Sequence, residues 1–469
     1  LNILKDKPDF KFDDIIDEVK CFRENHKNEI REDIVEDIYS NAEEILSNCV
    51  ETDLDKIDSQ KKIDDIITSK TFGIPIMFLL LSIVLWITIE GANYPSEALA
   101  TFLFEIEHSI TTLCQKINMP TFLHGILVLG LYRTLAWVIS VMLPPMAIFF
   151  PIFTLLEDLG YLPRVCFNLD HVFKKACAHG KQCLTMCMGF GCNAAGVISC
   201  RIIESPRERL IAILTNNFVP CNGRFPILIA ISSIFFGSQL FAGSGTFISA
   251  LIITGLIILS ILITLLVSYI LSKTLLKGIP SSFTLELPPY RKPQIGRVIY
   301  TSIIDRTIFV LGRAIVIAAP AGIITYLLSN IYVGNLSIVG HVASFLNPFA
   351  KLIGLDGFIL MAFILGFPAN EIVLPVLIMA YMSKGAMIDF NSLSELKTIL
   401  VQNGWTHITA LNTMLFALLH FPCATTVLTI KKETGSSKWT LFSILMPTAI
   451  AIMVCFLTNQ CYNLLKFVL

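Results

Sequence analysis

Charge is what this sequence has least of. Asp, Glu, Lys and Arg make up 15% of its 469 residues, where a soluble domain carries about 25%. With 54% hydrophobic residues and a mean hydropathy of +0.70, the chain cannot clothe itself in a water-facing surface. An ordinary soluble globular domain is therefore excluded. The long apolar runs also lack alternation of apolar and polar positions, which excludes a β-barrel. Lipid offers no partner to a bare peptide group, so continuous apolar runs of about 20 residues span as helices. No secreted disulfide pattern is present. Most of the 13 cysteines sit inside apolar runs, where a free thiol behaves as a small hydrophobe. No cleavable signal precedes the first span. The phosphate-binding pattern Gly-x-x-x-x-Gly-Lys-Ser/Thr does not occur, so no nucleotide binding of that kind is expected of these residues. The net charge of −1 gives no reason to expect nucleic acid as a partner.

That near-zero balance hides a split. Residues 1–70 hold 11 Lys and Arg against 20 Asp and Glu, and the remainder holds 24 against 16. The acidic part reads as a water-exposed helical arm, with Ile30, Ile34, Ile38, Ala42 and Ile45 recurring at helical spacing. A first span covers 72–93, followed by an acidic segment to 121. The run 122–158 is too long for one straight span, and a break is expected at Pro144–Pro145. A basic amphipathic stretch, 162–181, leads to a short apolar segment, 186–199, interrupted at Gly189–Asn193. Further spans fit 210–236, 246–271, 307–329, 405–430 and 439–459, and a second interrupted segment fits 358–382. Lys and Arg number one in each of loops 91–121 and 329–357, but four in 158–182, six in 273–306 and three in 431–438. The rich loops share one side if both interrupted segments are re-entrant, which makes the arm cytoplasmic and places the C-terminus outside. If the segments span fully, the basic loops fall on opposite sides.

Two stretches repeat a local pattern. Gly189-Phe190-Gly191-Cys192-Asn193 matches Gly366-Phe367-Pro368-Ala369-Asn370, and each is followed by a span broken at Pro-Cys, Pro220-Cys221 and Pro422-Cys423. Units of opposite orientation with discontinuous helices are a transporter signature, and the substrate site lies where the breaks meet. Breaks free backbone carbonyls and half-helix ends, which lipid cannot satisfy and a polar path can. Cys192, Cys221 and Cys423 fall on these breaks, and thiolate suits Fe, Zn or Cu(I) better than Mg or Ca; packing is the alternative role for each. Glu371 follows the second break directly and completes a cation site or pairs with Arg224. Asn193 and Asn370 offer neutral oxygens or cap their own half-helices. Arg133, Arg224 and Arg313 are expected to pair with carboxylates or to snorkel, and His420 is expected to be structural.

These residues carry a resemblance. Lys62-Ile63-Asp64 before Phe72-Gly73-Ile74-Pro75, the run Leu156 to Arg164, Met188 to Asn193, Glu204-Ser205, Pro220 to Arg224, Gly366 to Glu371, Pro422-Cys423 and Glu433-Thr434-Gly435 resemble the membrane portion of ferrous iron transport protein B, FeoB. The resemblance implies an all-α polytopic membrane bundle with inverted repeats and re-entrant or broken helices, preceded by a cytoplasmic helical arm. It divides the chain into an arm (1–70), a first span and external segment (71–121), gate domain 1 (122–272), a cytoplasmic loop (273–306) and gate domain 2 with the last spans (307–469). It implies Fe2+ as substrate, multi-pass residence in the cytoplasmic membrane, a GTPase domain in cis or trans that supplies all GTP chemistry, a FeoA-type small partner, and leaves a homo-oligomer open. The metal set carried over is Cys192, Cys221, Cys423 and Glu371, with Asn193 and Asn370 alongside. One common family pattern has Lys before the Glu; here it is Asn370. Two other functions compete: transport of a nucleoside or other small solute, and a non-transporting membrane assembly role. Cysteines at the breaks favour metal, since a nucleoside site needs neutral hydrogen-bonding groups and aromatics.

Overall fold

The computed structural model describes residues 29–49, 54–69, 71–176, 179–236, 245–278, 290–334, 336–382 and 393–468. The part of the arm before residue 29 lies outside these. The described residues up to Ile63 belong to one compact unit, and those from Asp64 onward form a second. The first contains α1 (Glu29–Cys49) and most of α2 (Leu54–Ile67).

The second unit is helical, and among the described residues six helices are long and apolar enough to cross a membrane. In chain order its helices begin with α3 (Gly73–Lys116), α4 (Thr121–Asp158), α5 (Tyr161–Lys175), α6 (Gln182–Gly191) and α7 (Asn193–Ser199). Then come α8 (Pro206–Thr215), α9 (Phe225–Phe235), α10 (Gly245–Lys273), α11 (Ile295–Thr301) and α12 (Phe309–Asn330). A hairpin of two-residue strands, β1 (Tyr332–Val333) and β2 (Leu336–Ser337), pairs Tyr332 with Ser337. Last are α13 (Ile338–Leu352), α14 (Gly357–Leu365), α15 (Val373–Tyr381), α16 (Leu393–Gln402), α17 (His407–Leu419), α18 (Ala424–Thr434) and α19 (Ser437–Val468). Helices α13 and α14 are bent by 113° at a short break, the shape of a broken span or a re-entrant loop.

Local chemistry sets these boundaries. Ser205 opens α8 by accepting from the Glu208 amide, with Pro206 next to it, where a missing N–H costs nothing. Asp356 caps α14 through the Ile359 amide at 2.7 Å, and Thr406 caps α17. Gly435, at φ +63°, ends α18 in the left-handed conformation that glycine adopts without penalty.

Two elements differ from expectation. The first span does not stop near residue 93; α3 continues through Pro95 for 44 residues, about 66 Å at 1.5 Å per residue, twice the hydrocarbon thickness of about 30 Å. The acidic segment expected as a loop is its second half. Nor do Pro144 and Pro145 break α4, which also contains Pro151. A π-helical stretch at Gly125–Tyr132 lies within the same element. The middle of α4 is the packed centre of the bundle: Phe149 stacks on Phe153 at 5.6 Å and meets Phe150 edge-on. Pro144 is buried and Pro145 and Pro151 are half-buried, so packing helps hold the backbone where proline removes hydrogen bonds.

The entry to the bundle is tied down by one ion pair. Arg164 is 1% exposed. Its Nε and Nη2 donate to the two carboxylate oxygens of Asp64, both at 3.0 Å, and its Nη1 donates to the Gly160 carbonyl at 2.9 Å. The guanidinium lies 4.1 Å from the centre of the Tyr290 ring, and the Tyr290 hydroxyl donates to Asp64 at 2.8 Å. Asn168 donates to the Ile67 carbonyl at 2.8 Å.

Candidate metal-ion site

Four breaks carry the site. Cys192 stands between α6 and α7 with extended backbone, φ −154° and ψ 125°; Ala369, at the matching position of the second unit, has φ −151° and ψ 123°. Cys221 precedes the turn Asn222–Arg224 that leads into α9, at φ −83° and ψ 167°; Cys423 precedes α18 at φ −63° and ψ 159°. The two units thus repeat backbone geometry as well as sequence. Every one of these positions is the N-cap of a half-helix. Such ends carry partial positive charge and repel a bare cation, so what a cation can meet here is the side chains at those ends.

Those side chains share one cavity. Cys192, Asn193, Cys221, Asn370, Glu371 and Cys423 line a space of about 30 Å3, room for one water-sized occupant. Glu371, 8% exposed, reaches from the second repeat to Gly223, beside the Pro220-Cys221 break of the first. A Cβ placed on Gly223 would fall 2.1 Å from the Glu371 Oε1, so only glycine leaves space for the carboxylate. Asn370 Nδ2 lies 3.9 Å from the Cys221 Sγ, and its Oδ1 is buried with no hydrogen-bond partner among the described residues. Cys423 Sγ is 3.2 Å from the Thr426 hydroxyl. With its amide turned to the orientation that satisfies it, Asn193 donates to the carbonyls of Gly189 at 3.2 Å and Val219 at 3.1 Å. It ties one break to another. Among the described residues no three His, Cys, Asp or Glu side chains lie close enough to hold one ion as a chelate.

Arg224 is not the partner of Glu371. Its guanidinium, 1% exposed, donates to the carbonyls of Asn217 (2.7 Å), Leu418 (2.8 Å), His420 (3.2 Å) and Phe421 (3.4 Å), and to the Asn217 side chain at 3.0 Å. Carbonyls freed by the Pro-Cys breaks outnumber what the local backbone can satisfy, and a planar cation with five donors meets them at once. Asn217 adds a bond of 2.8 Å to the His420 carbonyl. His420 is structural: its Nδ1 faces the Phe416 and Ala417 carbonyls, and its ring packs among Phe363, Phe416 and Phe421. Arg133 lies 3.7 Å from Glu107 rather than near Glu157, Asp158 or Glu371. The side chain of Arg313 lies outside the described part.

Met142 and Met146, Gly223 and Thr425 also line the cavity and were not singled out from sequence. The methionines, one helical turn apart on α4, look like ordinary core residues until the breaks are placed against them.

The family described as Nucleoside recognition (Gate) matches residues 139–235, and the one described as Ferrous iron transport protein B C terminus matches 253–305. The Fe(2+) transporter FeoB of Staphylococcus aureus (strain MSSA476) is 29% identical over 419 residues, covering 87% of this chain and 60% of that protein. The chain is similar along most of its length to proteins named Fe(2+) transporter FeoB. The Fe(2+) transporter FeoB of Methanocaldococcus jannaschii is 25% identical, covering 92% of this chain and 63% of that protein. A Porphyromonas gingivalis protein named as a fusion of Fe(2+) transport protein A with FeoB is 26% identical and covers 84% of the chain. The chain spans about 60% of the length of the first of these relatives. No solved structure matches it.

Proposed function

We propose that this chain is the ion-conducting part of a ferrous iron uptake permease in the cytoplasmic membrane, gated by a GTPase domain in cis or trans and assisted by a FeoA-type small protein. On this reading the chain transports and does not itself catalyse, and GTP is handled by the GTPase domain. The similarity to FeoB transporters and the fusion of one relative to Fe(2+) transport protein A support it. The observation that carries the reading is the convergence of three thiols and one carboxylate, from breaks in two repeated units, on one small cavity. Sulfur and carboxylate donors suit Fe2+ better than Mg2+, and the carboxylate offsets charge that lipid cannot. The absence of a tight chelate fits permeation, because an ion held too firmly cannot leave. Cys192, Cys221, Cys423 and Glu371 contact the ion in turn as a transient relay, Asn370 offers its oxygen, and Asn193 shapes the path by joining two breaks. A nucleoside reading is weaker here, since a space of about 30 Å3 cannot admit a base and a sugar.

Replacing Cys221 or Cys423 by Ser, or Glu371 by Gln, in the whole transporter should cut iron uptake at least severalfold with protein level unchanged. Wild-type uptake in all three variants at matched expression would sink the reading and leave the cysteines as packing.

A further inference from the structure

The cavity between the breaks contains sulfur that iron passage does not require. Met142 and Met146 are both buried, lie one turn apart on α4, and line the same space as Cys192, Cys221 and Cys423. Residues at i and i+4 share a helix face, so both thioethers come from one continuous wall while the thiols come from three breaks. The hard-donor side chains lining this space are Glu371, Asn193, Asn222, Asn370 and Thr425, beside the five sulfur side chains of Met142, Met146, Cys192, Cys221 and Cys423. A thioether has no charge and no proton to lose. It adds little to a hard divalent ion, whereas thiolate and thioether together select Cu(I).

We propose that Met142 and Met146 make this chamber a binding site for a soft monovalent cation of the Cu(I) class, held by the two thioethers together with cysteine sulfur. The site rests on the sulfur lining of the cavity, not on iron being the cargo. A cell with reduced copper in its cytoplasm would supply such an ion.

Selenomethionine in place of methionine makes the test specific. The purified full chain, labelled in this way, is loaded with one equivalent of Cu(I) under anaerobic, reducing conditions, and X-ray absorption is recorded at the copper edge. Selenium should appear in the first shell around copper. It should weaken in Met142→Leu and in Met146→Leu, and vanish in the double variant. Leu for Met roughly conserves volume, and the single variants keep the test open should the double variant fold poorly. A copper shell without selenium, or a selenium shell that survives the double replacement, overturns the inference. Failure of the iron reading would look different: unchanged iron uptake in Cys221→Ser, Cys423→Ser and Glu371→Gln, whatever the copper spectrum contains.

Discussion

Gly223 and Glu371 show how a single glycine sets the space in the candidate site. The carboxylate occupies the volume that a side chain at 223 would take, so a position that looks like a turn glycine is a seat for an acid. Gly223→Ala should displace Glu371 and reduce uptake severalfold, while a second change, Glu371→Asp, should restore part of it because the shorter acid clears the methyl group. Iron uptake by the single and double variants at equal expression measures this; no recovery in the double variant would place the defect elsewhere. Cys221 was legible because it follows a proline in an apolar run. Gly223 could not be assigned a role, since the atom it accommodates comes from the other repeat. Arg224 was misassigned for a related reason. Charge logic offers a carboxylate partner, but the freed carbonyls at the ends of interrupted helices are more numerous, and nothing local reveals where they collect.

At the level of elements, the breaks were the legible feature. Gly-Phe-x-x-Asn and Pro-Cys disrupt a helix by their own backbone chemistry, and the matched torsions at Cys192 and Ala369 and at Cys221 and Cys423 follow from it. Pro144 and Pro145 misled because the same residue inside a packed helix is tolerated. The latch at the start of the bundle makes a prediction of its own. Burial alone would raise the Asp64 carboxyl, but hydrogen bonds from Arg164 and Tyr290, with the Arg164 charge, bring it below the usual carboxylate range. Burial and the bond to Asp64 push the Tyr290 hydroxyl up to about 12. Because the folded Asp64 value lies below the unfolded one of about 3.9, the latch contributes in full above that pH and is lost as pH falls through the folded value. The thermal midpoint of the purified protein should therefore show an acid step below about pH 4 that Asp64→Asn removes. An identical acid step in that variant would assign it to another group.

For the whole molecule, the Lys and Arg count predicts that loops 158–182, 273–306 and 431–438 face the cytoplasm. Single cysteines at Arg297 and Lys438, placed in a cysteine-depleted background, should resist membrane-impermeant thiol reagents in intact cells and react once the membrane is opened. Labelling of either from outside would reverse the topology. By itself the sequence determined that this is a polytopic helical protein, that its helices are interrupted at the Gly-Phe and Pro-Cys sites, and which cysteines sit on those interruptions. Each of these follows from hydropathy or from the backbone chemistry of a few adjacent residues. Only the tertiary structure decided that the interruptions converge on one cavity, that Glu371 crosses to Gly223, that Arg224 serves carbonyls, and that two methionines join the cysteines. Those facts depend on groups such as Cys221 and Asn370, 149 residues apart in the chain, and their meeting is set by how whole helices pack.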